Sequence, residues 1–541
     1  AVASAHGWPR RRETPVTVGG DQVADAFALQ SRIAAAARGS GRPVIDAGRG
    51  QPNWTVTEPR AAFFRLGLFA TQEAETYSTT DVWGEMPPVA GIHARFLANL
   101  AEDVRTDMGT AFLRSSVEFA VRELGFDPDE WVHELVRSVL GFGYPSPNRM
   151  QPHLEKVAER YVLRFTGSPL DDNHRFDVFA TEGGAAAMTY IFTTLQVNGI
   201  VGPGDAVAVA TPTYTPYLQI PVLERIGFDV VEIKAVAHQP YRFDEGALDV
   251  LRDPRIKVFF LINPGNPDSR AVRPERLEEL RRIIETDRPD LLVVNDTAYA
   301  TFVESFHGVT AVIPRNVILL HSFSKGYAAT GNRLGFVAVH RDSVADTLLA
   351  GKSAEAKERM RARYQAASDD VEAMPFIQRL LADSRLVALH NIAGLATPDQ
   401  VQMTLFELAY LMPEGAHYVE GARALLQARL DALYAGLGVA APGGDDSHYY
   451  GMVDIMTVAR TRHGEALVER IRTTMAPEEV ALRLAADSGV IVQTGPSFQG
   501  DPWDVRLSLA SITEEQAGEI AAAFVTLVDR LAEEMTSVRE G

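Results

Sequence analysis

Val317-Ile318-Leu319-Leu320-His321-Ser322-Phe323-Ser324-Lys325-Gly326 joins a short apolar run to a turn of small and polar residues. The run reads as a buried strand: it is too short for a helix and is followed by turn formers. The residues after it carry chemistry. Lys325 stands three residues after Ser322, and Arg333 follows eight residues after Lys325. An amine can link covalently to an aldehyde, and hydroxyls with a guanidinium can hold a phosphate. By itself the segment also reads as a strand-to-loop turn with an ordinary solvated lysine.

The same rhythm extends outward. From residue 143, short apolar runs alternate with helical stretches such as Pro274 to Glu285. The runs are 178–180, 206–209, 230–233, 258–262, 291–294, 317–320 and 336–339. Seven strands alternating with helices predict an α/β domain with a mostly parallel sheet. We read residues 1–56 as an N-terminal arm and loop, and 57–142 as a helical insertion. The large α/β domain spans 143–345 and connecting helices 346–414. A smaller α+β domain, 415–541, ends in a long helix from Thr513. Residues 21–40 are expected to form an amphipathic helix, with a mobile tail before it, and 44–54 a Gly/Pro-rich loop.

Ligands in open α/β sheets sit beyond the carboxyl ends of the strands, so the residues that follow each run matter most. After 291–294 come Asn295-Asp296-Thr297-Ala298-Tyr299. A buried carboxylate at Asp296 could pair with a protonated ring nitrogen, and Tyr299 could reach a phenolic oxygen; Asp296 could equally cap a helix. After 258–262 come Asn263-Pro264-Gly265-Asn266-Pro267, where Asn266 could donate to the same oxygen or simply belong to a turn. After 178–180, Gly183 and Gly184 open a helix whose N–H groups could approach a phosphate. After 206–210, Tyr214 could stack on an aromatic ring or serve in packing. Arg506, on a short strand of the second domain, could hold a carboxylate bidentately. Each residue has a bland explanation, but a single cofactor, pyridoxal 5′-phosphate, accounts for all of them.

Composition narrows the partners. The 541 residues are 46% hydrophobic and 23% charged, as in ordinary soluble enzymes, with formal charge −19. That balance disfavours nucleic acid and anionic membrane as partners. Cysteine is absent, which removes disulfides, thiolate metal sites and cysteine nucleophiles. No apolar run approaches a membrane span, and Arg10-Arg11-Arg12 are not followed by the apolar segment of a secretory signal. The expectation is a cytoplasmic enzyme with a small-molecule substrate and no metal.

These residues resemble the fold-type I pyridoxal-phosphate enzymes of the aspartate aminotransferase superfamily. The resemblance implies Lys325 as the cofactor-linking lysine, Asp296 as partner of the pyridine nitrogen, and Tyr214 as the stacking ring. Tyr299 and Asn266 would meet the phenolic oxygen. Gly183, Gly184, Ser322, Ser324 and Arg333 would form the phosphate cup, and Arg506 would clamp the α-carboxylate. Tyr144, in Gly143-Tyr144-Pro145-Ser146-Pro147, resembles a tyrosine lent to a neighbouring subunit's phosphate, which implies a homodimer or higher homo-oligomer with a shared site.

A narrower similarity, to the aspartate 4-decarboxylases, covers nearly the whole chain. Its carriers include Ala47-Gly48-Arg49-Gly50-Gln51-Pro52-Asn53-Trp54, Ala382-Asp383-Ser384-Arg385 and Ala396-Thr397-Pro398-Asp399-Gln400-Val401. Arg49 is then placed near a distal substrate carboxylate. The loop Gln493 to Gly500 lacks an arginine that the family tends to carry. That departure leaves open an alternative in specialised metabolism: γ-elimination or replacement, or C–C bond formation, on a substrate such as S-adenosylmethionine.

Overall fold

Alternating apolar runs and helices build a three-layer α/β body around one sheet, as a computed structural model shows for residues 20–101, 107–144, 149–219, 227–236, 242–385 and 394–540. The expected mobile tail lies outside the described residues. The strands are β1 (Ile45–Asp46), β2 (Phe176–Thr181), β3 (Ala206–Thr211), β4 (Asp229–Lys234), β5 (Ile256–Ile262) and β6 (Leu292–Asp296). They continue with β7 (Val317–Ser322), β8 (Gly335–His340), β9 (Tyr450–Asp454), β10 (Val490–Ile491), β11 (Gln493–Thr494) and β12 (Asp504–Ser508).

Seven of these form the central sheet in the order β2-β8-β7-β6-β5-β3-β4. β4, β3, β5, β6 and β7 run parallel, and β8 is antiparallel to both of its neighbours. β3, β6 and β8 are buried at every residue, as strands covered on both faces must be. β4 exposes Asp229 and Lys234, which suits a sheet edge. Val207, Val258, Phe260, Val294, Ile318 and Leu320 face the helix Gly184–Val197 and the smaller α+β part. Ala208, Phe259, Leu261, Val293 and Leu319 face the opposite layer, which includes the helices of residues 58–165. Each large aliphatic side chain so removed from water contributes about 1.5–3 kcal/mol.

Residues 58–76, 92–100, 108–124 and 128–139 are helical. Glu58–Thr76 packs on Met108–Leu124 so closely that a Cβ on Gly109 would lie 2.4 Å from Ala61 Cβ. Asp127 caps Pro128–Val139 by accepting from the N–H groups of Asp129 and Glu130.

At the other end β11, β12 and β9 form an antiparallel sheet under Ala416–Leu437 and Glu514–Glu540. Two boundaries differ from expectation. Ile45–Asp46, read as loop, pairs in parallel with β10 and ties the N-terminal arm to this smaller part. Asp296, read as following a strand, is the last residue of β6, paired with Ile262 and Leu320. A two-residue strand is below the length at which pattern reveals it, and a carboxylate carries no strand signal of its own.

Candidate active site

β7 ends at Ser322, whose hydroxyl accepts from Ser324 N–H at 3.3 Å and caps the four-residue helix Phe323–Gly326. This turn places Lys325 on the first helical turn at the carboxyl edge of the sheet. Lys325 Nζ donates to Gly50 O at 2.7 Å and lies 5.9 Å from the centre of the Tyr449 ring.

One strand over, Asp296 is buried. Its Oδ1 accepts from Ala298 N–H at 2.9 Å, and the Tyr217 hydroxyl donates to Oδ2. Burial raises its pKa; the Tyr217 hydrogen bond, the Ala298 N–H and the Lys325 charge oppose that rise. Tyr217 in turn is pushed well above the ordinary tyrosine range, chiefly by its own burial, and stays a proton donor.

Two strands over, after β5, Asn266 Nδ2 donates to Tyr299 Oη at 3.3 Å, and Tyr299 Oη lies 2.9 Å from Tyr450 Oη. Arg506, on β12, joins the same group: Nη1 donates to Asn266 Oδ1 at 3.2 Å and Nη2 to Gly48 O at 2.6 Å. Its guanidinium carbon sits 4.3 Å from the Tyr450 ring centre and 4.8 Å from that of Phe498. Arg506 Nε is buried and has no hydrogen-bond partner among the described residues. Tyr214, 43% exposed, presents its ring edge-on to Tyr217 at 5.7 Å. Burial raises its pKa, with Tyr450 the next cause and Arg506, Asp296 and Arg333 also felt.

A third group lies at the start of the helix Gly184–Val197. Gly183 has φ 90°, and a Cβ there would stand 2.8 Å from Arg333 Nη2. A Cβ on Gly184 would meet Ser322 Cβ at 3.4 Å. Glycine alone keeps this space open. Arg333, itself left-handed at φ 57°, anchors Nη1 on Thr330 O at 3.0 Å.

These residues fit pyridoxal 5′-phosphate. A helix N-terminus, the Ser322 hydroxyl and the Arg333 guanidinium share one glycine-lined cradle suited to a phosphate. A buried carboxylate suits a cationic ring nitrogen, and the Lys325 amine, on the turn that follows Ser322, is close enough for its charge to be felt at Asp296. The structure thus gathers Gly183, Gly184, Tyr214, Asn266, Asp296, Tyr299, Ser322, Ser324, Lys325, Arg333 and Arg506 around one place.

Two expected residues have exposed side chains. Arg49 pairs with Asp46 at 3.0 Å and its side chain is 78% exposed. Tyr144 is 70% exposed on its loop, and the Pro145-Ser146-Pro147 that follows lies outside the described residues.

Sequence reading missed Tyr217, Tyr449, Tyr450 and the carbonyls of Gly48 and Gly50. Gly50 O accepts from both Lys325 Nζ and Tyr449 Oη, the latter at 2.8 Å. Backbone acceptors leave no compositional trace. Adjacent tyrosines entering a strand were the available signal for Tyr449 and Tyr450.

Comparison with known proteins agrees with this geometry. The family model for aminotransferase class I and II matches residues 142–524, and the chain belongs to that family. It is a pyridoxal-phosphate-dependent enzyme of amino-acid chemistry. It is similar, at 38% identity over 94% of its length and 96% of the other, to a bifunctional aspartate aminotransferase and L-aspartate beta-decarboxylase of Pseudomonas sp. It is also 27% identical to an aspartate aminotransferase of Streptomyces avermitilis over 46% of this chain and 60% of that one. A solved structure of a Thermus thermophilus aspartate aminotransferase mutant shares the fold, with TM-score 0.60, 19% identity, and coverage of 96% and 100%.

Proposed function

We propose that the chain acts on L-aspartate, both transferring its amino group and removing its β-carboxylate to leave L-alanine and CO2. The observation that carries this reading is the single site holding Lys325, Asp296 and Arg506, within a chain similar almost end to end to a bifunctional relative.

The bound cofactor supplies an electron-withdrawing ring that stabilises negative charge developing on the substrate. The protein does the rest. Lys325 would hold the cofactor aldehyde, and its free amine would serve as the base that removes and returns the proton at the α-carbon. Asp296 would pair with the pyridine nitrogen and favour its protonated form. Asn266 and Tyr299 would donate to the phenolic oxygen, Tyr214 would cover the ring, and Gly183, Gly184, Ser322, Ser324 and Arg333 would hold the phosphate. Arg506 fixes the α-carboxylate and so sets which bond at the α-carbon lies across the ring. Arg49 swings in from the surface to meet the β-carboxylate. When that group departs as CO2, a proton takes its place. Tyr144 reaches the phosphate of a second copy, making the site a property of a homo-oligomer.

The exposed, Asp46-paired side chain of Arg49 and the arginine-free loop 493–500 favour one second reading. In it, a substrate with a γ-leaving group, such as the sulfonium of S-adenosylmethionine, replaces aspartate. The holoenzyme offered each compound separately decides. CO2 and alanine from L-aspartate support the first reading. No turnover of L-aspartate, with release of the thioether from S-adenosylmethionine, overturns it.

A further inference from the structure

Tyr450 has no place in the roles assigned above, yet it touches two residues that have one, Tyr299 and Arg506. It begins β9, buried, with its backbone N–H donating to Ser269 Oγ at 2.8 Å and its carbonyl accepting from the same hydroxyl at 3.1 Å. That double bond to one side chain fixes the position of the ring. The ring lies under the Arg506 guanidinium at 4.3 Å, and its hydroxyl lies 2.9 Å from Tyr299 Oη.

Proton directions can be worked out from the partners. A guanidinium only donates, so the Asn266 atom facing Arg506 Nη1 is the amide oxygen. The opposite end of that amide, its NH2, therefore donates to Tyr299 Oη. Tyr299 has one proton of its own. If Tyr299 spent that proton on Tyr450, none would be left for a ligand. If Tyr450 donates instead, Tyr299 Oη accepts twice and its proton is free to point into the site. Two donors on one phenol oxygen also polarise its O–H and strengthen it as a donor.

We propose that Tyr450 is a positioning residue with two separable parts: its ring supports the Arg506 guanidinium for carboxylate binding, and its hydroxyl directs the Tyr299 proton toward the cofactor's phenolic oxygen. The four residues Arg506, Asn266, Tyr299 and Tyr450 form a closed circuit, with three polar contacts and one cation–π face. Tyr450 is the member that closes it. A hydrogen bond to the phenolic oxygen favours the unprotonated form of the lysine–cofactor link, so weakening Tyr299 raises the pH at which that link loses its proton.

The inference rests on the roles proposed for Arg506 and Tyr299, and the test separates the two layers. The holoenzyme and its variants are titrated with pH while the visible absorbance is followed, and maleate binding is measured by calorimetry. Tyr450→Phe keeps the ring and loses the hydroxyl. The absorbance midpoint should move upward by roughly half a pH unit or more, while maleate affinity stays within about twofold. Tyr450→Leu loses both parts, and maleate should bind about tenfold or more weakly. In a Tyr299→Phe background, Tyr450→Phe should no longer move the midpoint. An unmoved midpoint in Tyr450→Phe overturns the proposal, as does a shift that persists without Tyr299. Failure of the underlying roles looks different: Arg506→Lys would leave maleate binding intact, or Tyr299→Phe alone would leave the midpoint in place.

Discussion

Gly50 is where the N-terminal arm comes closest to the chemistry, and adding one methyl group there should be costly. A Cβ on Gly50 would stand 2.6 Å from Tyr450 Oη and 3.0 Å from Lys325 Nζ. The first distance is roughly 1 Å inside an ordinary contact. Tyr450 cannot readily yield, because its backbone is held on Ser269 and its hydroxyl on Tyr299. Lys325 can yield, and its displacement moves the amine that must meet the cofactor. A displacement near 1 Å in a reacting group costs about 10- to 100-fold in rate, or about 1.4–2.7 kcal/mol. Gly50→Ala should therefore lower kcat/KM for L-aspartate by that factor and leave the melting temperature of the folded chain nearly unchanged. Gly48→Ala is the internal control, since its Cβ would meet Gln30 Nε2 at 3.1 Å, the end of a flexible side chain, and should lose less than Gly50→Ala. A Gly50→Ala enzyme within twofold of the parent, with Gly48→Ala the more damaged, would refute the reasoning.

Two predictions concern buried carboxyl groups. Burial raises the Asp296 pKa, so its ionisation costs stability: the cost is absent below the ordinary value of 3.8 and grows as pH rises toward the folded value. Cofactor-free Asp296→Asn should thus melt no lower than the parent at pH 7.5, yet bind pyridoxal 5′-phosphate about tenfold or more weakly by absorbance titration; parental affinity would contradict the assigned role. Glu407 is fully buried in the helix Thr397–Leu411, where only the Thr404 side chain, one turn earlier, offsets the cost of its burial. Burial lifts its pKa well above 4.5, so stability falls as pH rises above that value. Glu407→Gln should raise the melting temperature by about a degree or more at pH 8 and by less at pH 5; an advantage that shrinks with rising pH would contradict it.

Much of the fold could be read before any coordinates, because parallel strands covered on both faces must be continuous apolar runs. The segments ending at Ile262, Asp296 and Ser322 are of that kind, and the rule that ligands lie beyond strand ends led directly to Asn266, Asp296 and Lys325. What the sequence hid has physical causes. Pairing of Ile45–Asp46 with Val490–Ile491 joins segments far apart in the chain through two residues. The carbonyls of Gly48 and Gly50, which meet Arg506 and Lys325, belong to the backbone that all residues share. Tyr217, in the short helix Pro216–Gln219, carries no mark of its partner in sequence, and only packing against the sheet brings its hydroxyl to Asp296. The resemblance puts Arg49 near a distal carboxylate; the residue stands between the two glycines whose carbonyls meet Arg506 and Lys325, and its exposed side chain pairs with Asp46.

The account stands on one covalent assignment. Borohydride reduction of the holoenzyme, followed by proteolysis and mass mapping, locates the lysine that holds the cofactor. The pyridoxyl group should appear on the peptide containing Lys325, and Lys325→Ala should neither retain it nor turn over substrate. Label on another lysine, or turnover in Lys325→Ala, would contradict the account.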